Sequence, residues 1–233
     1  MASPLRPFRF RSAAASLRGR SHAENQDAWC IVASPRSRAN GTLVAVADGV
    51  SSVPRGQWAA QHACRRLTGV IREARSIRVE ELAQVVNELD WELREHGQGS
   101  AACTLSLAWL ARDEAALLHV GDSAIFLVRE GKVRQLSVDM SSGSRLKGFL
   151  GMGPAVAERL QILRLPLQDQ DGLLLITDGV RGVLRHTELA GWWLRTGRDP
   201  DRTVRGVVRE VHRREGGDDA TVLAVAIDEV GSD

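Results

Sequence analysis

The chain has 233 residues, 43% hydrophobic and 26% charged, and 31 Lys and Arg against 29 Asp and Glu leave a formal charge of +2. This is the composition of a soluble globular protein with enough apolar mass for a sizeable core, and it excludes a disordered, collagenous or coiled-coil chain. So small a surplus makes no field that would gather nucleic acid, and apolar runs such as 43–47 and 173–176 fall far below the roughly 18 to 20 residues needed to cross a bilayer.

The N-terminal segment MASPLRPFRFRSAAASLRGR is basic but lacks the apolar stretch of a signal peptide, so it reads as an Arg- and Pro-rich arm of a cytoplasmic protein. AWCIVAS (28–34) and TLVAVAD (42–48) read as strands joined by SPRSRANG into a hairpin. Trp58, Ala59, Ala63, Leu67 and Val70 recur at helical spacing and predict a helix over 57–71. Leu82, Val85, Val86, Leu89 and Leu93 predict another after Glu80. Strand candidates follow at 102–110, 115–120, 124–129 and 133–138, and the short turns ARDE and REGK predict antiparallel pairing of successive strands.

The Gly-rich passage SSGSRLKGFLGMGP (141–154) is irregular, and a strand pair is expected at 160–165 and 172–177. Helices at 187–195 and 202–214 and a last strand at 220–227 complete the chain. Neighbouring side chains on a helix diverge by about 100°, so of Trp192 and Trp193 one packs inward and the other lies at its edge. The order of strands, two helices, strands, two helices and one strand implies antiparallel sheets covered by helices, in a single domain over 1–233. Cys30, Cys64 and Cys103 are odd in number and widely spaced, which argues for buried small hydrophobes in a reducing compartment rather than a disulfide framework.

Four acids stand at the ends of apolar strands: Asp48 after LVAVA, Asp122 after LLHVG, Asp178 after LLLIT and Asp218 before ATVLAVA. Each by itself could be a turn or cap residue. Together they are partly desolvated carboxylates that repel one another if they converge, and a hard divalent cation relieves that repulsion. Oxygen ligands suit Mg²⁺ or Mn²⁺, and the absence of clustered His and Cys counts against zinc. The chain has no nucleophile elbow, P-loop or dinucleotide fingerprint.

The segments ENQDAW (24–29), VAVADGV (44–50), HVGDSAIFLV (119–128), LLLITDGV (173–180) and GGDDATVLAV (216–225) resemble, in order, the signature blocks of the metal-dependent protein serine/threonine phosphatases of type 2C, in a bacterial branch. The resemblance implies an α+β fold, a four-layer αββα sandwich with two central antiparallel sheets flanked by helix pairs. It also implies two Mn²⁺ or Mg²⁺ ions, with room for a third, at one end of the sheets. By the same resemblance Asp48 bridges the two ions and the Gly49 carbonyl adds a ligand, while Asp178 and Asp218 hold one ion and Asp27 contacts the other directly or through its water. Asp122 holds water at the metals. Asp219 stands where the family usually has Asn, which leaves Asp218 and Asp219 both open as the ligand. The implied chemistry is attack on phosphorus by a water that two cations activate, with no phosphoenzyme.

Three positions depart from the family pattern. The usual phosphate-binding Arg is replaced by His22, with Arg20 two residues earlier, so either could contact phosphate or His22 could serve only to fix its loop. Val53 occupies the place of a His that can protonate the leaving group, a role that then falls to water or to His22. The flap segment 139–151 is short, which should leave the cleft open. The expected protein is a monomeric cytoplasmic phosphatase for phosphoserine and phosphothreonine made by a Ser/Thr kinase. Val53 and the missing Arg motivate the alternative of a non-catalytic phosphoprotein-binding module, and a hydrolase of small phosphate esters is the other rival.

Overall fold

The computed structural model describes residues 8–34, 41–74, 76–143 and 145–230. In chain order the elements are β1 (Phe8–Leu17), β2 (Asp27–Ala33), β3 (Thr42–Asp48), α1 (Gly56–Glu73), α2 (Val79–Gly97), β4 (Leu105–Ala111), β5 (Glu114–Val120), β6 (Ala124–Arg129) and β7 (Lys132–Gln135). There follow β8 (Ser141–Ser142), β9 (Arg145–Leu146), α3 (Val156–Arg159), β10 (Gln161–Pro166), β11 (Gly172–Ile176), α4 (Asp178–Arg181), α5 (His186–Arg195), α6 (Pro200–Arg213) and β12 (Ala220–Glu229). No described helix is long and apolar enough to cross a membrane.

Two five-stranded antiparallel sheets, ordered β1-β12-β11-β6-β7 and β10-β5-β4-β3-β2, face each other. The alternation of side chains along a strand explains the layers. In β12, Leu223, Val225 and Ile227 enter the core between the sheets, whereas Val222, Ala224 and Ala226 pack against the helical layer. In β3, Val44 and Val46 face the other sheet, while Leu43, Ala45 and Ala47 face α1 and α2. Strands buried on both faces read as continuous apolar runs, which is why these segments show no polar face. In α1 the buried positions Ala59, Ala60, Ala63, Cys64, Leu67 and Ile71 repeat at helical spacing toward the sheet. The result is the αββα sandwich that the family resemblance implied.

Several expectations are corrected. The described part of the N-terminal arm is not an arm: β1 is an edge strand on β12, in register from Phe8 opposite Glu229 to Leu17 opposite Ala220. Residues 1–7 of the arm, and 35–40 of the connection in the expected hairpin, lie outside the described residues; β2 and β3 do pair antiparallel. Successive strands do not all pair. β5 and β6 belong to different sheets, with the chain crossing at Gly121–Ser123, and the expected pair β10 and β11 is split, β10 joining β5 and β11 joining β6 and β12. Residues 102–104 precede β4 as a loop, in which Cys103 bridges Gly49 and Leu150. The three cysteines are free and buried, and Trp193 is buried while Trp192 lies at the edge under Arg195.

Candidate active site

The ends of strands from both sheets bring acids to one end of the sandwich. Asp27 opens β2 and Asp48 closes β3, and the two stand directly opposite in the ladder. Like charges in that position are destabilising. Asp122 lies on the crossing from β5 to β6, Asp178 starts α4 just beyond β11, and Asp218 precedes β12. One carboxylate oxygen each from Asp48, Asp122 and Asp178 lie within 4.8 Å of one another. Asp27 is buried behind them; Thr177 Oγ1 donates to its Oδ2 at 2.9 Å, and its Oδ1 is buried with no partner.

The backbone beneath these acids is closely tied. The Asp48 N–H donates to Thr104 Oγ1 at 3.1 Å, and that hydroxyl is 2.8 Å from Ser123 Oγ, beside Asp122. The buried His119 spans the crossing: its Nε2 donates to the Gly121 and Val138 carbonyls, so Nδ1 accepts from Ser106 Oγ at 2.8 Å. Burial pushes His119 down to about 4, which keeps it neutral. Two glycines make room. A side chain at Gly49 would strike the Gly56 backbone and the Gln26 carbonyl, and one at Gly179 would strike the Asp219 carbonyl.

Crowding and burial act together on the carboxyls. Burial first, then the charges of Asp219 and Asp178, lift Asp27 to about 7 against the pull of hydrogen bonds from Thr221 and Thr177. Asp48 rises well above the usual range through burial and the charges of Asp27 and Asp178. Asp122 rises to about 6, from burial and then Asp178, with Arg181 partly opposing. Asp218 is raised by burial and Asp178. Arg181, whose charge reaches Asp122, pairs with Asp139 instead, at 2.9 Å.

The adjacent acids Asp218 and Asp219 separate. Asp218 lines the cleft, whereas Asp219 is buried and accepts from the Gly19 N–H at 2.7 Å, the Gln26 N–H at 2.8 Å and His22 Nδ1 at 2.8 Å. Asp219 therefore anchors the loop from Gly19 to Gln26. That hydrogen bond, outweighing burial, raises His22 above its usual value.

His22, Asp48, Gly49, Asp122, Asp178 and Asp218 all line one open cleft, with Val53 in its wall. Asp27 sits one layer beneath. Arg20 is not among the lining residues; it pairs with Glu215 at 3.1 Å on the surface. Sequence reasoning missed the roles of three residues. Arg145, from the β8–β9 hairpin, lines the cleft with Leu146 and Phe149 and has no carboxylate partner among the described residues. Asp219 and Thr177 position other residues, and neither role has a local signature. Only the hydroxyl next to the Asp-Gly step at 178–179 hinted at Thr177.

The donor set fits hard cations: several carboxylates converge, a buried carboxylate oxygen lacks any partner, and among the described residues no cationic side chain pairs with Asp27, Asp48, Asp122 or Asp178.

A family model described as Protein phosphatase 2C matches residues 18–223. The serine/threonine phosphatase stp of Listeria welshimeri is 25% identical over 239 residues, covering 89% of this chain and 92% of that protein. Among solved structures, the serine/threonine phosphatase of S. agalactiae superposes with a TM-score of 0.82 at 20% identity, covering 93% of this chain and 99% of its own. The catalytic domain of the phosphatase PstP, solved with two manganese ions, superposes with a TM-score of 0.77 at 19% identity, covering 95% and 100%.

Proposed function

The chain belongs to the protein phosphatase 2C family, the serine/threonine protein phosphatases, and from that premise we propose that it hydrolyses phosphoserine and phosphothreonine in proteins with Mn²⁺ or Mg²⁺, acting as one catalytic unit. The observation that carries the metal dependence is the convergence of Asp48, Asp122 and Asp178 over the orphaned Asp27 oxygen. In this reading Asp48, Asp178, Asp218 and the Gly49 carbonyl would hold the ions, Asp27 would reach one of them directly or through water, and Asp122 would hold water for the reaction. When bound, such cations supply Lewis acidity, which activates water at neutral pH and draws charge from phosphoryl oxygens.

The chain's own residues do the rest. Ser51 and Ser52 line the cleft, and among the described residues no base is hydrogen-bonded to either, which supports attack on phosphorus by water rather than by a serine. His22, its Nδ1 held by Asp219, presents its other ring nitrogen for the phosphate, and Arg145 supplies the guanidinium that Arg20 does not. The phosphoproteins concerned are those of a Ser/Thr kinase. The test is hydrolysis of a phosphothreonine peptide and of phenyl phosphate with and without Mn²⁺. Turnover of both, abolished by a chelator and restored by Mn²⁺, is expected; hydrolysis of neither would leave a phosphoprotein-binding module, and hydrolysis of the ester alone a small-molecule enzyme.

A further inference from the structure

A second groove adjoins the catalytic cleft and shares His22 and Ser51 with it. Arg55, Gln57 and Trp58, at the start of α1, line it together with Glu24. The guanidinium of Arg55 lies over the Trp58 ring, Cζ 4.3 Å from its centroid, and Nη1 donates to the His96 carbonyl at 2.6 Å. Trp58 is held in turn: it stacks on His62 at 4.9 Å, and His62 Nε2 meets Glu92 Oε2 at 2.7 Å. Arg55 is thus fixed in one orientation and half-buried, yet it has no carboxylate partner among the described residues, and the first turn of α1 carries no acid. A pre-ordered guanidinium with N–H donors to spare suits a carboxylate partner.

We propose that this groove takes the polypeptide on one side of the phosphorylated residue, and that Arg55 selects a carboxylate side chain there, with Trp58 as the apolar wall. The proposal rests on the phosphatase reading and adds to it a substrate preference. Continuity through His22 and Ser51 ties the groove to the phosphate position, so a chain whose phosphate is in the cleft has a path past Arg55. Glu24, in the same lining, repels an acid placed against it. The preference therefore belongs to one register of the peptide and not to acidity in general.

The experiment uses phosphothreonine peptides in which a single Glu, Gln or Lys is walked through the positions flanking the phosphoresidue, with Mn²⁺ present. For the wild type, kcat/KM at one position should be about fivefold higher with Glu than with Lys, as for a partly exposed ion pair. That ratio should fall to about one in Arg55→Gln and invert in Arg55→Glu. Each ratio is taken on one protein, so a general loss of folding or activity cancels. A wild-type profile that is flat at every position, or a Glu preference that persists in Arg55→Glu, overturns the assignment. Phenyl phosphate is assayed alongside. If the ester is hydrolysed while the peptide profile is flat, the groove proposal falls alone; if nothing is hydrolysed, the phosphatase reading falls and takes this proposal with it.

Discussion

β11 has an aspartate at each end, and the molecule treats the two in opposite ways. Before the strand, Asp171 is fully buried, and Arg129, the last residue of β6, grips it through Nε at 2.7 Å and Nη2 at 2.6 Å while the Gln168 N–H donates at 2.9 Å. After the strand, Asp178 faces Asp48 and Asp122, with an arginine close by, Arg181, directed to Asp139 instead. Both ends lie in the same sandwich, so the fold is able to give a buried acid its cation. At the far end the acid holds the structure together. At the cleft end the repulsion is left unrelieved by protein groups, which weakens the fold and reserves the oxygens for an exogenous ion.

The contrast is broken most sharply by Asp48→Asn. Loss of a carboxylate from the centre of the cluster should lower kcat/KM by about 10³-fold, on the order of 4 kcal/mol of transition-state stabilisation. The same variant should melt above the wild type when both are free of divalent ions, because one repelling charge has gone. A lower melting temperature in calorimetry would show that Asp48 has a structural partner.

At the other end, Arg129→Met should do the reverse. It leaves the buried Asp171 without its cation and should lower stability in urea by about 3 kcal/mol, with kcat of the folded fraction retained. An unchanged urea midpoint would dissolve the distinction between the two ends.

The pH dependence of the metal-free protein tests the same crowding without a mutation. Asp27 is raised to about 7 and Asp122 to about 6, so between their unfolded value near 3.8 and those values the folded chain binds more protons than the unfolded one. Stability of the metal-free protein should therefore decline as pH rises from about 4 to about 7, with the whole penalty present above pH 7. Mn²⁺ at pH 7.5 should reverse that decline. Thermal melts that rise over this interval without metal would contradict the crowding at the cleft.

Much of this was legible before any coordinates. Thr42–Asp48 and Ala124–Arg129 have the bounds that their apolar runs imply, and the acids that follow such runs do converge. Strand ends are local features, and because β3 and β5 both pair antiparallel with β4 they run the same way and end at the same edge. The edge strand β1 was legible too, in the alternation FRFR at residues 8–11, but Arg-rich composition and the three alanines 13–15, poor strand formers, pointed away from it.

What local pattern cannot convey is partnership. An apolar run indicates a strand covered on both faces without naming its neighbour, so the crossing between β5 and β6 and the parting of β10 from β11 emerge only when the two sheets close over their shared core. The direction of a side chain has the same origin. Asp218 and Asp219 are alike as letters, yet Asp219 turns inward because the loop from Gly19 to Gln26, about two hundred residues away in the chain, offers it three donors. Arg20 turns outward to Glu215, and Arg145 comes in from the hairpin to the cleft. Hydrophobic periodicity is carried by neighbours in the chain, whereas burial of a charge is settled by whichever donors the folded backbone brings to it.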